Sequence, residues 1–185
     1  MHRRSFLALF PAGPLAWALA PGALAATKTS ASVAQLQENW KKLLAPGASV
    51  TLTTEPLTKT EAEWMQALDG PRFTVLRQEG TERAFSSPLN DEKREGVFVC
   101  AGCTLPLFTS AMKFDSGTGW PSFFTLIPGH LATKDDFKLI VQRTEYHCIR
   151  CGGHQGHVFD DGPPPTGLRY CNNGLALKFI PLRGA

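Results

Sequence analysis

Cys100-Ala101-Gly102-Cys103 and, 44 residues further on, Cys148-Ile149-Arg150-Cys151 are the two stretches on which the reading of this chain turns. Each follows a strand-like run, and a Cys-x-x-Cys turn lets two sulfurs converge on one point about 2.3 Å away. Gly102, and Gly152-Gly153 after the second pair, suit the tight backbone of such turns. Together the half-sites complete a tetrahedral four-sulfur shell for one zinc ion. Cys100, Cys103, Cys148 and Cys151 leave that ion no open position, so it is structural and not the catalyst. The wide separation implies that the metal joins distant parts of one domain. Two disulfides are the competing reading in an exported chain, but paired half-sites are the more specific signal for a metal. His147 adjoins the second pair; with four cysteines present it is expected to be a neighbour and not a ligand.

The chain has five cysteines, so the clamp leaves Cys171. An odd cysteine in an exported protein is either an intermolecular link or a reactive thiol. Arg169 and Asn173 stand two residues either side of it, and in an extended strand all three share one face. A guanidinium beside the sulfur favours thiolate over thiol. His154, His157 and Asp161 lie just upstream and supply candidate acids and hydrogen-bond donors. Alone, each histidine reads as structural; with an unpaired cysteine the group resembles a Cys/His site.

The surrounding sequence reads as mainly β. Phe73–Leu76, Gly96–Val99, Leu139–Tyr146 and Leu175–Ile180 look like strands separated by Gly, Pro, Asn and Asp. They are too closely spaced for helical crossovers, so the sheets are expected to be antiparallel. Helices are expected N-terminal to them. Val33, Leu36, Trp40, Leu43 and Leu44 recur at helical spacing until Pro46-Gly47. A second helix should start at Thr60, whose spacing to Glu63 is that of a capping box, and close at Asp69-Gly70-Pro71. Trp40 and Trp64 read as core anchors.

Residues 1–25 read as an export signal. Arg3-Arg4-Ser5-Phe6-Leu7 resembles a twin-arginine motif, an apolar run follows, and Ala23-Leu24-Ala25 offers a small-x-small cleavage site. Pro11, Gly13, Pro14, Pro21 and Gly22 argue against a stable membrane anchor. The chain therefore divides into the signal (1–25), a helical extension (26–58) and a zinc-bearing domain (59–185), expected outside the cytoplasm, in the periplasm. With Arg3 and Arg4 set aside, 17 basic residues face 16 acidic ones, which leaves no electrostatic footprint for nucleic acid.

Five stretches then carry a family resemblance: Gly80–Phe85, Lys113–Phe123, His154–Phe159, Asp161–Asn173 and the cysteine clamp. In this order they resemble the MsrB family, the methionine-R-sulfoxide reductases, over roughly residues 60–183. The resemblance implies the antiparallel β-tent fold and Cys171 as a nucleophile that passes through a sulfenic acid. It implies that His157, aided by His154, serves the sulfoxide oxygen, that Asp161 orients that network, and that Arg169 supports the thiolate, with Asn173 in the same polar shell. Trp120 and Phe159 would line the substrate's apolar side. Oxidised methionine in proteins or peptides is the implied substrate, and a monomer is expected. Thr118 stands where many members carry a resolving cysteine, so the implied reductant is an external, thioredoxin-like thiol. The competing class is a non-catalytic zinc-binding interaction module on the same fold.

Overall fold

Val97, Phe98, Val99 and Cys100 are all fully buried, which makes their strand the central one of its sheet. In the computed structural model, which describes residues 32–137 and 142–182, this strand β1 (Gly96–Cys100) lies between β2 (Pro106–Thr109) and β9 (Leu177–Pro181). A second, six-stranded sheet runs β3-β4-β8-β7-β6-β5. Its strands are β3 (Lys113–Phe114), β4 (Ser122–Phe123), β5 (Leu131–Asp136), β6 (Arg143–Cys148), β7 (His154–Phe159) and β8 (Arg169–Asn172). All pairings are antiparallel. The fold is mainly β, as the strand spacing implies.

Aromatic rings join the two sheets. Phe108 of β2 stacks on Phe123 of β4, with centroids 4.0 Å apart and planes 7° from parallel. Phe98 of β1 meets the same Phe123 edge-on at 5.0 Å. Offset and edge-to-face pairs of this kind add to the stabilisation from burial alone.

The helices depart from expectation in two places. The first breaks before Pro46: α1 (Val33–Glu38) ends at Asn39, whose side-chain amide donates to the Gln35 carbonyl at 2.8 Å. A 3-10 turn over Trp40–Leu43 follows and buries Trp40 edge-on against His130, centroids 5.5 Å apart. The second, α2 (Glu61–Ala67), starts with the reciprocal Thr60–Glu63 capping box. Asp69-Gly70-Pro71, expected to close it, instead opens α3 (Gly70–Gln78). Asp69 accepts the Arg72 amide at 2.8 Å, and a proline in the first turn loses no helical hydrogen bond. Phe73–Leu76 is therefore helical and not a strand. Phe73 and Leu76, three residues apart, are both buried, so burial of one helix face overrides local β-propensity.

Between the 3-10 turn and α2 the chain runs as an irregular strap. Thr51 donates its amide to the Thr104 carbonyl at 3.1 Å, and Leu57 donates to the Arg150 carbonyl at 2.7 Å. The strap thus touches both cysteine turns. Among the strands, β6 begins only at Arg143, and residues 138–141 of the expected Leu139–Tyr146 run lie outside the described region, as does the whole expected export signal. No described helix is long and apolar enough to cross a membrane.

If Trp40 pins this N-terminal segment, Trp40→Ala should destabilise the protein by about 3 kcal/mol, as loss of a buried large aromatic does. Denaturant unfolding would read this as a lower midpoint at unchanged slope. An unchanged midpoint would show that the segment lies on the domain without supporting it.

Candidate active site

Sheet register, more than chain proximity, assembles the site. His157 of β7 and Ser122 of β4 lie directly across from Cys171 of β8. Residues paired across antiparallel strands present their side chains to the same face. On β6, Glu145 pairs with His157, and Lys134 of β5 pairs with Glu145. One ladder row therefore reads Lys134, Glu145, His157, Cys171, Ser122. The next row on that face holds Asp136 opposite Arg143, and Phe159 opposite Arg169.

His154 reaches this face through a bulge. Tyr146 pairs with Gly156 but His147 pairs with His154, so Gln155 is an extra residue in β7. A bulge re-aims the side chains beside it, and it brings the His154 ring to 5.5 Å from the His157 ring, despite an odd separation in sequence. Gln155 is fully buried. Its carbonyl accepts the Asn173 backbone and side-chain amides at 2.8 and 3.1 Å, and its own amide reaches the Cys100 sulfur at 3.5 Å. The bulge residue so connects the cysteine clamp to the strand that carries Cys171.

The carboxylates that hold the histidines are not the one expected. Glu145 accepts from His154 Nδ1 at 2.8 Å, and its other oxygen pairs with Lys134 at 2.8 Å. Asp136 bonds His157 Nε2 at 2.8 Å and Arg143 at 2.6 Å. Asp161 instead forms two bonds to the Arg169 guanidinium, at 2.8 and 2.9 Å, which hold its carboxyl below the ordinary range. That guanidinium stacks on the Phe159 ring, 4.3 Å from its centroid. Asp161 therefore fixes Arg169, and Asp136 and Glu145 orient the imidazoles. Both acids lie in polar strand stretches that read as solvent-facing; only their pairing across the sheet reveals them.

A cavity of about 210 Å³ opens at Cys171, walled by Trp120, His157, Phe159, Arg143 and Asn173. His154 is buried behind it and does not line it. Asn173 borders the cavity, but its amide is engaged at both ends, accepting from the Glu82 amide at 3.0 Å and donating to Gln155. Glu82, unforeseen as a site residue, is the tie at this end. Its carboxylate accepts the Gly174 and Leu175 amides at 2.7 and 2.8 Å, and its carbonyl accepts the Trp120 indole N–H at 3.2 Å.

Burial holds the Cys171 thiol above the ordinary value of 9.0, outweighing the Arg169 guanidinium and the Thr118 hydroxyl, both of which favour thiolate. Arg169 favours the thiolate as expected, but desolvation penalises the anion more than one cation relieves it. Burial likewise pushes His157 below 6.5, against the opposing bond from Asp136.

The four remaining cysteines form a separate, buried group whose sulfurs all lie within 4.8 Å of one another. Cys100 and Cys151 sulfurs are 3.6 Å apart, and Cys103 and Cys148 sulfurs 3.5 Å. Those separations are far from a bonded disulfide at about 2.05 Å and near the edge of about 3.8 Å that a tetrahedron with 2.3 Å metal–sulfur bonds requires. The donor set therefore fits a metal ion, and His147 is not part of it. Each turn ends in a left-handed residue, Gly152 (φ 67°) and Thr104 (φ 59°). That conformation is a genuine outlier for a β-branched side chain, and Thr51 of the strap braces Thr104 through both amide and hydroxyl.

Comparison with known proteins places this architecture. Residues 68–181 match the model of the SelR domain. The chain is 46% identical over 132 residues to the peptide methionine sulfoxide reductase MsrB of Agrobacterium fabrum, covering 71% of this chain and 98% of that protein. The protein of that name from Pseudomonas putida (strain W619) is 49% identical over 133 residues, with 71% and 99% covered. Its namesake in Methanosarcina barkeri is 47% identical over 129 residues, with 69% and 91% covered. Residues 32–67 precede the matched domain.

Alkylation of Cys171 as a function of pH should titrate above 9.0, and Arg169→Ala should move that titration higher still, since it removes the main group that favours the thiolate. A titration midpoint near neutrality would overturn the dominance of burial.

Proposed function

The chain belongs to the MsrB family of peptide methionine sulfoxide reductases, and from that premise we propose that it reduces methionine-R-sulfoxide to methionine with Cys171 as nucleophile. The observation that carries this reading is the cross-strand placement of Cys171 and His157 in one cavity with an aromatic wall.

A sulfoxide has a polar oxygen and an electrophilic sulfur. With Trp120 and Phe159 against its methyl group, the oxygen is left to turn toward His157 and Arg143. The Cys171 thiolate attacks the sulfoxide sulfur while the oxygen takes a proton from His157. The hydroxyl then passes from the substrate sulfur to Cys171 as the newly formed Sγ–S bond breaks, so that methionine leaves with the electron pair and Cys171 carries the oxygen as a sulfenic acid. His157 donates Nε2–H to Asp136, so its neutral ring offers Nδ1 only as an acceptor. Donation to the oxygen therefore requires the imidazolium, which Asp136 stabilises as the proton is delivered.

Regeneration follows from the cysteine inventory. Four of five thiols belong to the clamp, and position 118 holds a threonine whose hydroxyl bonds Ser116. An external thiol condenses with the sulfenic acid to give a mixed disulfide and water, and a second thiol releases Cys171. A thioredoxin-like partner suits this exchange, and a monomer suffices for it. The ion held by Cys100, Cys103, Cys148 and Cys151 is zinc on this reading, because four thiolates in closed tetrahedral array are a structural zinc set. Residues 1–25 would export the folded chain to the periplasm by the twin-arginine route, where oxidised methionine in proteins is the substrate and repair the outcome.

Cys171→Ser should abolish reduction of the R sulfoxide while leaving metal content unchanged. Turnover retained in that variant would sink the mechanism, and turnover of the S sulfoxide alone would sink the stereochemistry. The pH dependence follows from the opposed shifts. Thiolate forms above 9.0 and imidazolium below 6.5, so between those values the productive pair is a small and constant fraction. We expect kcat/KM to be level across that interval, to fall on the acid side as thiolate is lost, and to fall on the alkaline side as imidazolium is lost. A single sharp optimum near neutrality would rule out this protonation scheme.

A further inference from the structure

The stretch Gly80–Phe85 contributes Glu82 to the site, but its last residue has no such structural use. Phe85 is the most exposed large apolar side chain among the described residues, at 74%. It is also held at φ 62°, a left-handed conformation that is a true outlier for a bulky residue. Strain of this kind persists only where surrounding structure enforces it, and it concentrates at functional positions.

The enforcement is visible. The Phe85 amide donates to the Gly119 carbonyl at 2.7 Å, and the Asn90 side chain donates to the same carbonyl at 3.0 Å. Gly119 is itself left-handed (φ 90°), and a Cβ there would stand 2.7 Å from the Phe85 ring. Only glycine permits this approach. Gly119 precedes Trp120, the residue whose side chain walls the Cys171 cavity. Phe85 and Trp120 also border a second cavity of about 120 Å³, with Phe114, Gly119 and Pro121 on its apolar side and Asn90, Asp91, Lys113 and Asp115 as its polar members. Trp120 is common to both cavities.

We propose that Phe85 and this adjoining cavity are a subsite for an apolar side chain flanking the oxidised methionine in a polypeptide. The proposal rests on the reductase reading above. The shared wall argues for this occupant: Trp120 lines both cavities, so a polypeptide whose sulfoxide rests against it brings a neighbouring side chain to the adjoining one. The space suits one aliphatic side chain, and the Phe85 ring adds an apolar rim that a free amino acid would not touch. The subsite thus distinguishes methionine sulfoxide within a polypeptide from the free amino acid.

The test is steady-state kinetics of the metal-loaded protein on three substrates: free methionine-R-sulfoxide, a peptide with leucine beside the sulfoxide, and the same peptide with glycine there. Phe85→Ala should raise KM for the leucine peptide by about three- to tenfold, the worth of one aromatic contact. It should leave kcat, the glycine peptide and the free amino acid unchanged. Phe85→Gly relieves the left-handed strain and should show the same KM defect without a lower melting temperature, which separates recognition from folding. Unchanged KM for the leucine peptide, or an equal rise for all three substrates, would overturn the subsite. So would a change in oligomeric state in either variant, which would assign Phe85 to contact between copies of the chain. Failure of the unsubstituted protein to reduce any of the three would instead overturn the reductase reading itself.

Discussion

The four-cysteine clamp is the constraint from which the rest of the structure hangs. Cys100 ends β1 of the small sheet and Cys148 ends β6 of the large one, so an ion held between them fixes one sheet against the other. Stacked Phe108 and Phe123 do the same by packing, but an aromatic contact tolerates sliding and a tetrahedral sulfur shell does not. From the clamp the constraint passes to Gln155, whose amide touches the Cys100 sulfur and whose carbonyl holds Asn173. Asn173 in turn holds Glu82, and Glu82 holds the Trp120 indole. The metal site and the cavity wall at Trp120 are therefore linked by three residues, Gln155, Asn173 and Glu82.

On the proposed chemistry, the face that carries Cys171 and His157 keeps a nucleophile inert until it is wanted. Burial disfavours the thiolate and the imidazolium together. Arg169 and Asp136 are placed to stabilise those charged forms, and each is itself anchored, Arg169 by Asp161 and Asp136 by Arg143. The resting pair is neutral. A polar sulfoxide that enters the cavity brings both a site for the proton and an electrophile for the sulfur, so charge develops only along the reaction coordinate, where fixed partners already await it.

Much of this was legible in the sequence, and the illegible part has a common cause. Cysteine spacing identified the clamp, and the two-residue period around Cys171 correctly put Arg169 on its strand, because both signals are local. The Thr60–Glu63 capping box was local too. What failed was everything decided by pairing at a distance. Asp136 and Glu145 sit in polar stretches, and only a ladder register across three strands turns them toward His157 and His154. The family resemblance implies that Asp161 orients the histidines, but the turn between β7 and β8 delivers it to Arg169. Phe73–Leu76 has strand-like composition, and the Asp69 cap with Pro71 made it helical. Trp40 and Trp64 were read as anchors, and both are buried; what Trp40 anchors, a strap across both cysteine turns, lies beyond the reach of periodicity.

Thr118, where a resolving thiol is expected, carries a hydroxyl instead. That hydroxyl is bonded to Ser116 at 2.8 Å, which bonds Ser122 on the neighbouring strand at 2.8 Å. Cys171 itself lines the cavity walled by Trp120 and His157. On the proposed chemistry, that cavity is where the oxidised Cys171 meets its reductant. Substrate and reductant must use one opening in turn, methionine departing before the external thiol can reach the sulfenic acid. The enzyme would alternate between two covalent states of one cysteine, and with a threonine at position 118 its turnover would depend on whatever thiol its surroundings supply.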